Sequence, residues 1–217
     1  MYLFRVIQVD LDNILGSIRP RERLSFHYYI ARMYLFLNEL PSVVEHLGNA
    51  LSVARTRKNR IKILRFLIPV QILSGVLPTT FLLKKYQLFE FVDIVKAIRT
   101  GNVKLFDEVL AKFIRLWVDR GLYFLLVRAK KLLLRNLVKQ VYKINEKNRE
   151  IPLNILYKAF NMGVERDFLP EEVNCILAGL CKNGFIKGYV LINEKSLFLS
   201  DKNPFPFVPH KWNDNEY

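Results

Sequence analysis

The stretch from residue 170 to residue 199 reads PEEVNCILAGLCKNGFIKGYVLINEKSLFL and decides the fold. Pro170 and the two acidic residues after it are typical of a helix start, and Asn183-Gly184 is typical of a helix end. Two short runs of β-branched and aromatic residues then flank Asn193-Glu194-Lys195, which predicts a β-hairpin. A short helix is expected upstream, ending near Phe160. Helices followed by a hairpin are the order of a winged helix.

Before this pattern, residues 120–145 contain no aspartate or glutamate and predict a basic helix. Five cationic side chains are spaced 3, 4, 4 and 4 residues apart, which places them along one helix face. This cationic stripe consists of Arg128, Lys131, Arg135, Lys139 and Lys143. Such a stripe attracts phosphates or carboxylates, although the solvated face of a basic helix gives the same pattern.

The first half of the chain predicts helical hairpins. An aromatic-rich helix over residues 21–37 is followed, after a short turn, by apolar residues at steps of three and four over residues 41–54. Residues 66–83 carry no charge, but two prolines and a glycine interrupt them, so we expect a buried helix, a turn and a second helix instead of a membrane span.

The predicted fold class is mainly α, with stacked tetratricopeptide-like helical hairpins followed by a winged helix that carries a small β-hairpin. The predicted domains are a helical-repeat part over residues 1–119, a winged-helix part over residues 120–200 and an extended tail over residues 201–217.

Composition limits the partners. The 217 residues are 51% hydrophobic and 25% charged, which is typical of a globular protein. A net charge of +14 favours nucleic acid, an anionic membrane surface or an acidic protein as the partner. A membrane-surface protein would need an exposed amphipathic helix, which the sequence does not predict.

The sequence does not predict an enzyme, because it has no phosphate-binding glycine-rich loop and no G-x-S-x-G or H-E-x-x-H motif. His27, His46 and His210 are scattered, without a carboxylate or cysteine at metal-binding spacing. Cys175 and Cys181 lie on different faces of one predicted helix, which argues against a disulfide or zinc site and fits a reducing compartment. We expect no catalytic residue, metal or cofactor.

Helical repeats that run without a linker into a winged helix resemble the PCI domain of proteasome-lid, COP9-signalosome and translation-initiation scaffold subunits. Motifs scattered over about residues 28–206 are similar to the mRNA-export branch of that family. They include Leu82-Leu83-Lys84-Lys85-Tyr86-Gln87-Leu88, Gly101-Asn102, Arg135-Asn136-Leu137-Val138-Lys139, Cys175-Ile176-Leu177-Ala178-Gly179-Leu180, Gly184-Phe185-Ile186-Lys187-Gly188-Tyr189 and Asn203-Pro204-Phe205-Pro206.

The resemblance implies a non-enzymatic subunit of the transcription-coupled mRNA-export complex TREX-2, located in the nucleus at or near the nuclear pore with some of it in the cytoplasm. The implied protein partners are a large helical scaffold subunit with its own PCI domain and a small, highly acidic protein shared with the proteasome lid. The paired winged helices would form a joint surface for RNA or DNA.

Two alternatives stay open at this point. Family members usually carry further helical repeats before the point where this chain begins, so we expect either a compact member or one whose amino-terminal repeats are missing. The chain could also be a scaffold subunit of a proteasome-lid, COP9-signalosome or translation-initiation assembly, with a winged helix that contacts only other subunits.

Within the winged helix, positive charge lies away from the expected recognition helix. That helix carries Glu171 and Glu172 against a single Lys182, which is poorly suited to base contacts in a major groove. Lys187 and Lys195 lie on the hairpin and extend the cationic stripe. We therefore predict sequence-independent, salt-sensitive binding to RNA or DNA backbone, completed by a partner.

Two other segments are predicted to contact protein partners. A basic patch between repeat helices could hold an extended acidic peptide, although charged inter-helix turns are common. The patch consists of Arg55, Arg57, Lys58, Arg60 and Lys62. In the tail, Phe205 and Phe207 are candidate anchors in a partner's pocket, whereas Tyr189, Leu191 and Phe198 are expected mostly in the core of the hairpin.

Overall fold

The computed structural model describes residues 19–163 and 167–207, and it confirms a mainly helical protein with a small antiparallel sheet near its carboxyl end. The chain divides into two compact units inside one helix, between Val70 and Gln71. The domain boundary expected at residue 120 stays a prediction, and the compact units divide elsewhere. Residues 208–217 of the expected tail lie outside the described part.

The first unit is a helical hairpin followed by most of a third helix. Helix α1 (Pro20–Phe36) packs on α2 (Leu40–Val53), and α3 (Arg57–Leu73) supplies its residues up to Val70. Prolines in the first turns of α1 and α2 suit helix starts, because proline has no N–H to leave unsatisfied there. The described core of this unit is made largely of Ala31, Val43, Leu47, Ala50, Ile63, Leu67 and Ile68.

The second unit begins with four short helices and a 3₁₀ turn. They are α4 (Thr80–Lys85), the 3₁₀ turn (Phe89–Phe91), α5 (Val92–Thr100), α6 (Val103–Lys112) and α7 (Ile114–Asp119). Phe113, with φ −107° and ψ 16°, separates α6 from α7. After this break Trp117 is completely buried, with its ring 5.2 Å from that of Phe91.

The winged helix follows in the predicted order. Its elements are α8 (Tyr123–Ile144), β1 (Glu150–Pro152), α9 (Leu153–Phe160), α10 (Pro170–Lys182), β2 (Gly188–Leu191) and β3 (Ser196–Leu199). The sequence did not predict β1, which pairs with β3 so that the antiparallel order is β1-β3-β2. The side chains of Ile151 and Leu197, which are paired in the register, are buried under the sheet.

A tight turn fixes the helices before α8 against α8 itself. Gly101 has φ 73° and ends α5, and a Cβ at this position would lie 2.5 Å from the Leu137 Cα. Only glycine allows this approach without a shift of one backbone. The Asn102 side chain then caps α6 by accepting a 2.9 Å hydrogen bond from the Leu105 N–H. Both α5 and α6 consequently pack on α8.

None of the helices described in either unit combines the length and the apolar character that crossing a bilayer requires.

Candidate nucleic-acid interface

Four of the five cations in the predicted stripe on α8 reach the surface. Lys131 and Lys143 are exposed, and Arg128 and Lys139 are half-buried. The distance along the helix from Arg128 to Lys143 is about 22 Å at 1.5 Å per residue, long enough to follow several phosphates. The neighbouring Lys130 does not belong to the stripe, because its Nζ lies 2.8 Å from both carboxylate oxygens of Asp107.

Arg135, the central member of the stripe, was predicted to bind nucleic acid, but the structure places it in the interior. It is only 8% exposed, and its guanidinium donates to the carbonyl oxygens of Phe185 (3.1 Å), Phe205 (3.1 Å) and Pro206 (2.6 Å). A fourth bond, of 2.9 Å, runs to the side-chain oxygen of Asn136. Burial lowers the pKa of Arg135. Four of its five N–H groups thus hold residues 136, 185, 205 and 206, and the buried guanidinium is poorly placed to bind a phosphate.

Phe205 lies in the segment that Arg135 binds, and its environment differs from the one predicted for it. Its side chain is buried, with its ring 5.6 Å from that of Tyr142, so the expected partner contact is wrong for this residue. The Lys139 ammonium lies 6.0 Å from the centre of the same ring. Phe207 is 67% exposed, and its role as an anchor in a partner's pocket stays a prediction.

Lys139 has the most unusual environment of the surface cations on α8. Burial, and then the nearby charges of Arg135 and Lys143, lower its pKa below the ordinary value. Burial is the larger cause, and the smaller contributions of Arg135 and Lys143 indicate that positive charges lie close to one another on this part of α8.

The hairpin contributes two more exposed cations. Lys195 lies in the turn between β2 and β3, where it has φ 52°, and Lys187 precedes β2. The backbone of Lys187 is fixed, because its N–H donates to the Pro204 carbonyl and its own carbonyl accepts from the Ser200 N–H, both at 2.8 Å. Both backbone polar groups of Lys187 are therefore paired, and its exposed side chain is the part that can contact a ligand.

The recognition-helix position of α10 remains poorly suited to base contacts. Its exposed residues are Pro170, Glu171, Cys175, Ala178 and Lys182, while Glu172 accepts a 2.9 Å hydrogen bond from the Leu169 N–H at the helix start. A single cation at the carboxyl end of α10 gives little attraction for a major groove. The positive surface of the winged helix is thus α8 with the hairpin.

The outer face of the sheet differs from the prediction that its aromatic residues form the hairpin core. The rings of Tyr189 and Phe198 stack at 5.7 Å with an interplanar angle of 17°, and Tyr189 is 58% exposed. Phe198 follows the buried Leu197 in β3, and successive side chains of a strand point to opposite faces of the sheet. Phe198 and its cross-strand partner Tyr189 therefore lie on the face away from Leu197. An exposed ring pair of this kind suits contact with a base or with a protein partner.

Of the basic patch over residues 55–62, only Arg55 lies in the connection between α2 and α3. Residues from Arg57 onward form the first turns of α3. Arg55, Arg57, Lys58 and Lys62 are exposed, whereas Arg60 is half-buried and donates through Nε to the Ala54 carbonyl at 2.9 Å. Arg60 therefore closes the turn into α3, and the other cations remain candidates for an acidic partner.

The buried histidines of the first unit lie next to each other, which the sequence did not suggest. The Nδ1 atoms of His27 and His46 are 3.0 Å apart, and the Tyr34 ring stacks on that of His46 at 5.4 Å. Across the described residues there is no cluster of three or more His, Cys, Asp or Glu that could hold a metal. A helical wheel of α1 and α2 would have placed both histidines on the facing sides, with Ala31 and Leu47.

Comparison with known proteins gives one consistent result. No family model matches the chain. It is 34% identical over 200 residues to PCI domain-containing protein 2 of Xenopus laevis, which covers 91% of the chain and 50% of the relative. It is 33% identical over 212 residues to the PCI domain-containing protein 2 homolog of Drosophila melanogaster, covering 96% and 53%. These matches support the resemblance of the chain to the PCI family.

A third relative is Protein CSN12 homolog of Gibberella zeae, to which the chain is 31% identical over 203 residues, covering 85% of the chain and 44% of the relative. The chain spans about half the length of the curated relatives it matches.

One surface that suits contact with another protein is an apolar groove in the second unit. It has a volume of about 790 Å³ and lies between the α5–α6 turn, the carboxyl end of α8 and α9. Its walls include Ile144 and Met162, which are 82% and 79% exposed. Large apolar side chains this exposed at one groove are typical of a protein contact.

Proposed function

We propose that this protein is a non-enzymatic scaffold and nucleic-acid-binding subunit of a nuclear mRNA-export complex, and that it binds RNA or DNA backbone jointly with a partner PCI subunit. The observation that carries the proposal is the α8 surface, where Arg128, Lys131, Lys139 and Lys143 form a ridge on an acid-free helix. A contact made through phosphates depends on this charge and not on base sequence.

The proposed partners follow the resemblance to the mRNA-export branch. A large helical scaffold subunit with its own PCI domain would complete the nucleic-acid surface, and a small, highly acidic protein would bind the exposed cations of residues 55–58 at the start of α3. Exposed apolar side chains at Ile144 and Met162 support a protein partner on the second unit. The proposed location is the nucleus, at or near the nuclear pore.

A second candidate function is favoured by the similarity to Protein CSN12 homolog and by the exposed Tyr189–Phe198 ring pair. In that case the protein would be a scaffold subunit of a proteasome-lid, COP9-signalosome or translation-initiation assembly, and its winged helix would contact only other subunits. The cationic ridge of α8 weighs against this candidate, because a subunit contact gains little from charges that repel one another.

The two candidates differ in a binding measurement on the full chain. We expect wild-type protein to bind a fluorescein-labelled 20-nucleotide RNA in a salt-dependent manner, and we expect Lys131→Glu combined with Lys143→Glu to weaken binding at least tenfold and to flatten the dependence on salt. The matched control is Lys112→Glu combined with Lys158→Glu, which reverses two exposed charges of the same unit away from the stripe. Equal weakening by both pairs would contradict the assignment of the site.

A further inference from the structure

The first unit contains a small polar pocket that the proposed function does not use. It has a volume of about 200 Å³ and lies between the first halves of α1 and α3. Its lining includes Arg21, Ser25 and Tyr29 of α1 together with Asn59 and Lys62 of α3. We propose that this pocket binds a phosphate of single-stranded nucleic acid, with the adjoining base stacked on Tyr29.

The chemistry of the lining selects an anion. Among the described residues that line the pocket there is no aspartate or glutamate, whereas a guanidinium, an ammonium and an amide come from two different helices. Among the described residues, neither Arg21 nor Lys62 forms an ion pair. The Ser25 hydroxyl donates to the Arg21 carbonyl at 3.1 Å and so fixes that turn of α1. Arginine and lysine together favour phosphate, the first through directed donors and the second as a point charge.

The surroundings strengthen the attraction for a polyanion. Residues 19–25 contain three arginines with Glu22 as the only acid, and residues 55–65 contain six arginines and lysines with no acid. Both segments belong to the described first unit and border the pocket. A charge density of this kind concentrates a polyanion near the surface and makes its binding depend on salt.

The aromatic side chains distinguish a nucleotide from an acidic peptide. Tyr29 is 67% exposed, and the Tyr28 ring meets it edge-on at 5.5 Å while also meeting Phe66 edge-on at 5.9 Å. Phe66 is 8% exposed, so the Tyr28–Tyr29 ring pair packs against the buried core of the unit. An aromatic ring fixed beside a phosphate-sized pocket can stack on a base while the pocket binds the neighbouring phosphate. An acidic peptide made of carboxylates has no flat group that would stack on the ring.

The faces of α3 separate this pocket from the cations proposed to bind an acidic protein. Asn59, Lys62 and Ile63 recur at helical spacing and face α1, whereas Arg60 turns toward the Ala54 carbonyl. Lys62, predicted from the sequence to bind an acidic partner, therefore lies in the lining of the pocket. The inference rests on the proposed nucleic-acid function but uses residues of a different unit from α8.

The test measures binding of labelled single-stranded oligo(U) and of an RNA duplex of equal length by fluorescence anisotropy, on the full chain. We expect Tyr29→Ala to weaken single-strand binding at least about fivefold, the lower end of what a stacked base contributes. We expect Tyr29→Phe to retain it. Lys62→Ala should weaken binding more than Lys58→Ala, which removes the same charge one turn away on α3 outside the pocket, and should reduce the salt slope by about 0.7.

The outcomes separate this inference from the proposed function. If Tyr29→Ala and Lys62→Ala bind single strands as wild type does while charge reversal on α8 weakens binding, the pocket assignment is overturned and the proposed function stands. If wild type binds no nucleic acid, both are overturned. If a poly-glutamate peptide binds in a Lys62-dependent manner and Tyr29→Ala has no effect on RNA, the occupant is an acidic peptide and the assignment to nucleic acid is overturned.

Discussion

Substitution of Arg135 separates two interpretations of this residue. Its buried position predicts that the substitution lowers the stability of the fold, whereas its charge alone predicts that it lowers the affinity for nucleic acid. Substitution of alanine removes the donor to three carbonyl oxygens, those of Phe185, Phe205 and Pro206. A carbonyl left without its donor costs about 1 kcal/mol net where water regains partial access. We therefore expect Arg135→Ala to lower the free energy of unfolding by about 3 kcal/mol.

The assay is urea unfolding followed by tryptophan fluorescence and circular dichroism, in which 3 kcal/mol moves the midpoint by roughly 1 M or more. Lys143→Ala is the matched control, because it removes one cation of the same helix from an exposed position, and it should stay within about 0.5 kcal/mol of wild type. Amide exchange at Lys187, whose N–H donates to the Pro204 carbonyl, should speed up in Arg135→Ala. Unchanged stability together with reduced RNA affinity would refute the reasoning, since it would require an accessible guanidinium.

Three other predictions follow from single residues. Gly101→Ala should destabilise the protein by about 1–3 kcal/mol, measured by thermal melting, because the site has φ 73° and a Cβ would meet the Leu137 backbone. Iodoacetamide at pH 8 should modify Cys175, which is exposed, far faster than Cys181, because burial raises the pKa of the Cys181 thiol to about 11; equal rates by mass spectrometry would contradict this. In an NMR titration the Lys139 ammonium should lose its proton at lower pH than an exposed lysine, since burial lowers its pKa below 10.5, and over that interval rising pH should favour the folded state.

Much of the fold could be predicted because its signals are local. The proline and acids that start α10, the Asn-Gly that ends it and the turn at Asn193-Glu194-Lys195 lie within a few residues of the elements they determine. The strand β1 could not be predicted, because three residues carry no periodicity and the strand exists only through its pairing with β3. The break at Phe113 has the same origin, since the apolar pattern continues across it.

The candidate site could be predicted only to the extent that helical periodicity indicates which side chains are exposed. Spacing placed Arg135 on the same face as Lys131 and Lys139, and this is geometrically true. Yet Leu132, Leu133 and Leu134 are all buried, and three consecutive residues span about 200° of a helix, so α8 is enclosed on most of its circumference at this point.

A cation one residue after such a run is thus expected inside, and it remains inside only if carbonyl groups from distant parts of the chain satisfy its donors. Those carbonyls come from residues 185, 205 and 206, which no local pattern connects to residue 135. The consequence for function is that the stripe is divided into Arg128 and Lys131 on one side and Lys139 and Lys143 on the other. A nucleic acid bound along α8 would then contact two cationic pairs separated by about two helical turns, and single charge removals within one pair should be less than additive while removals from both pairs should add.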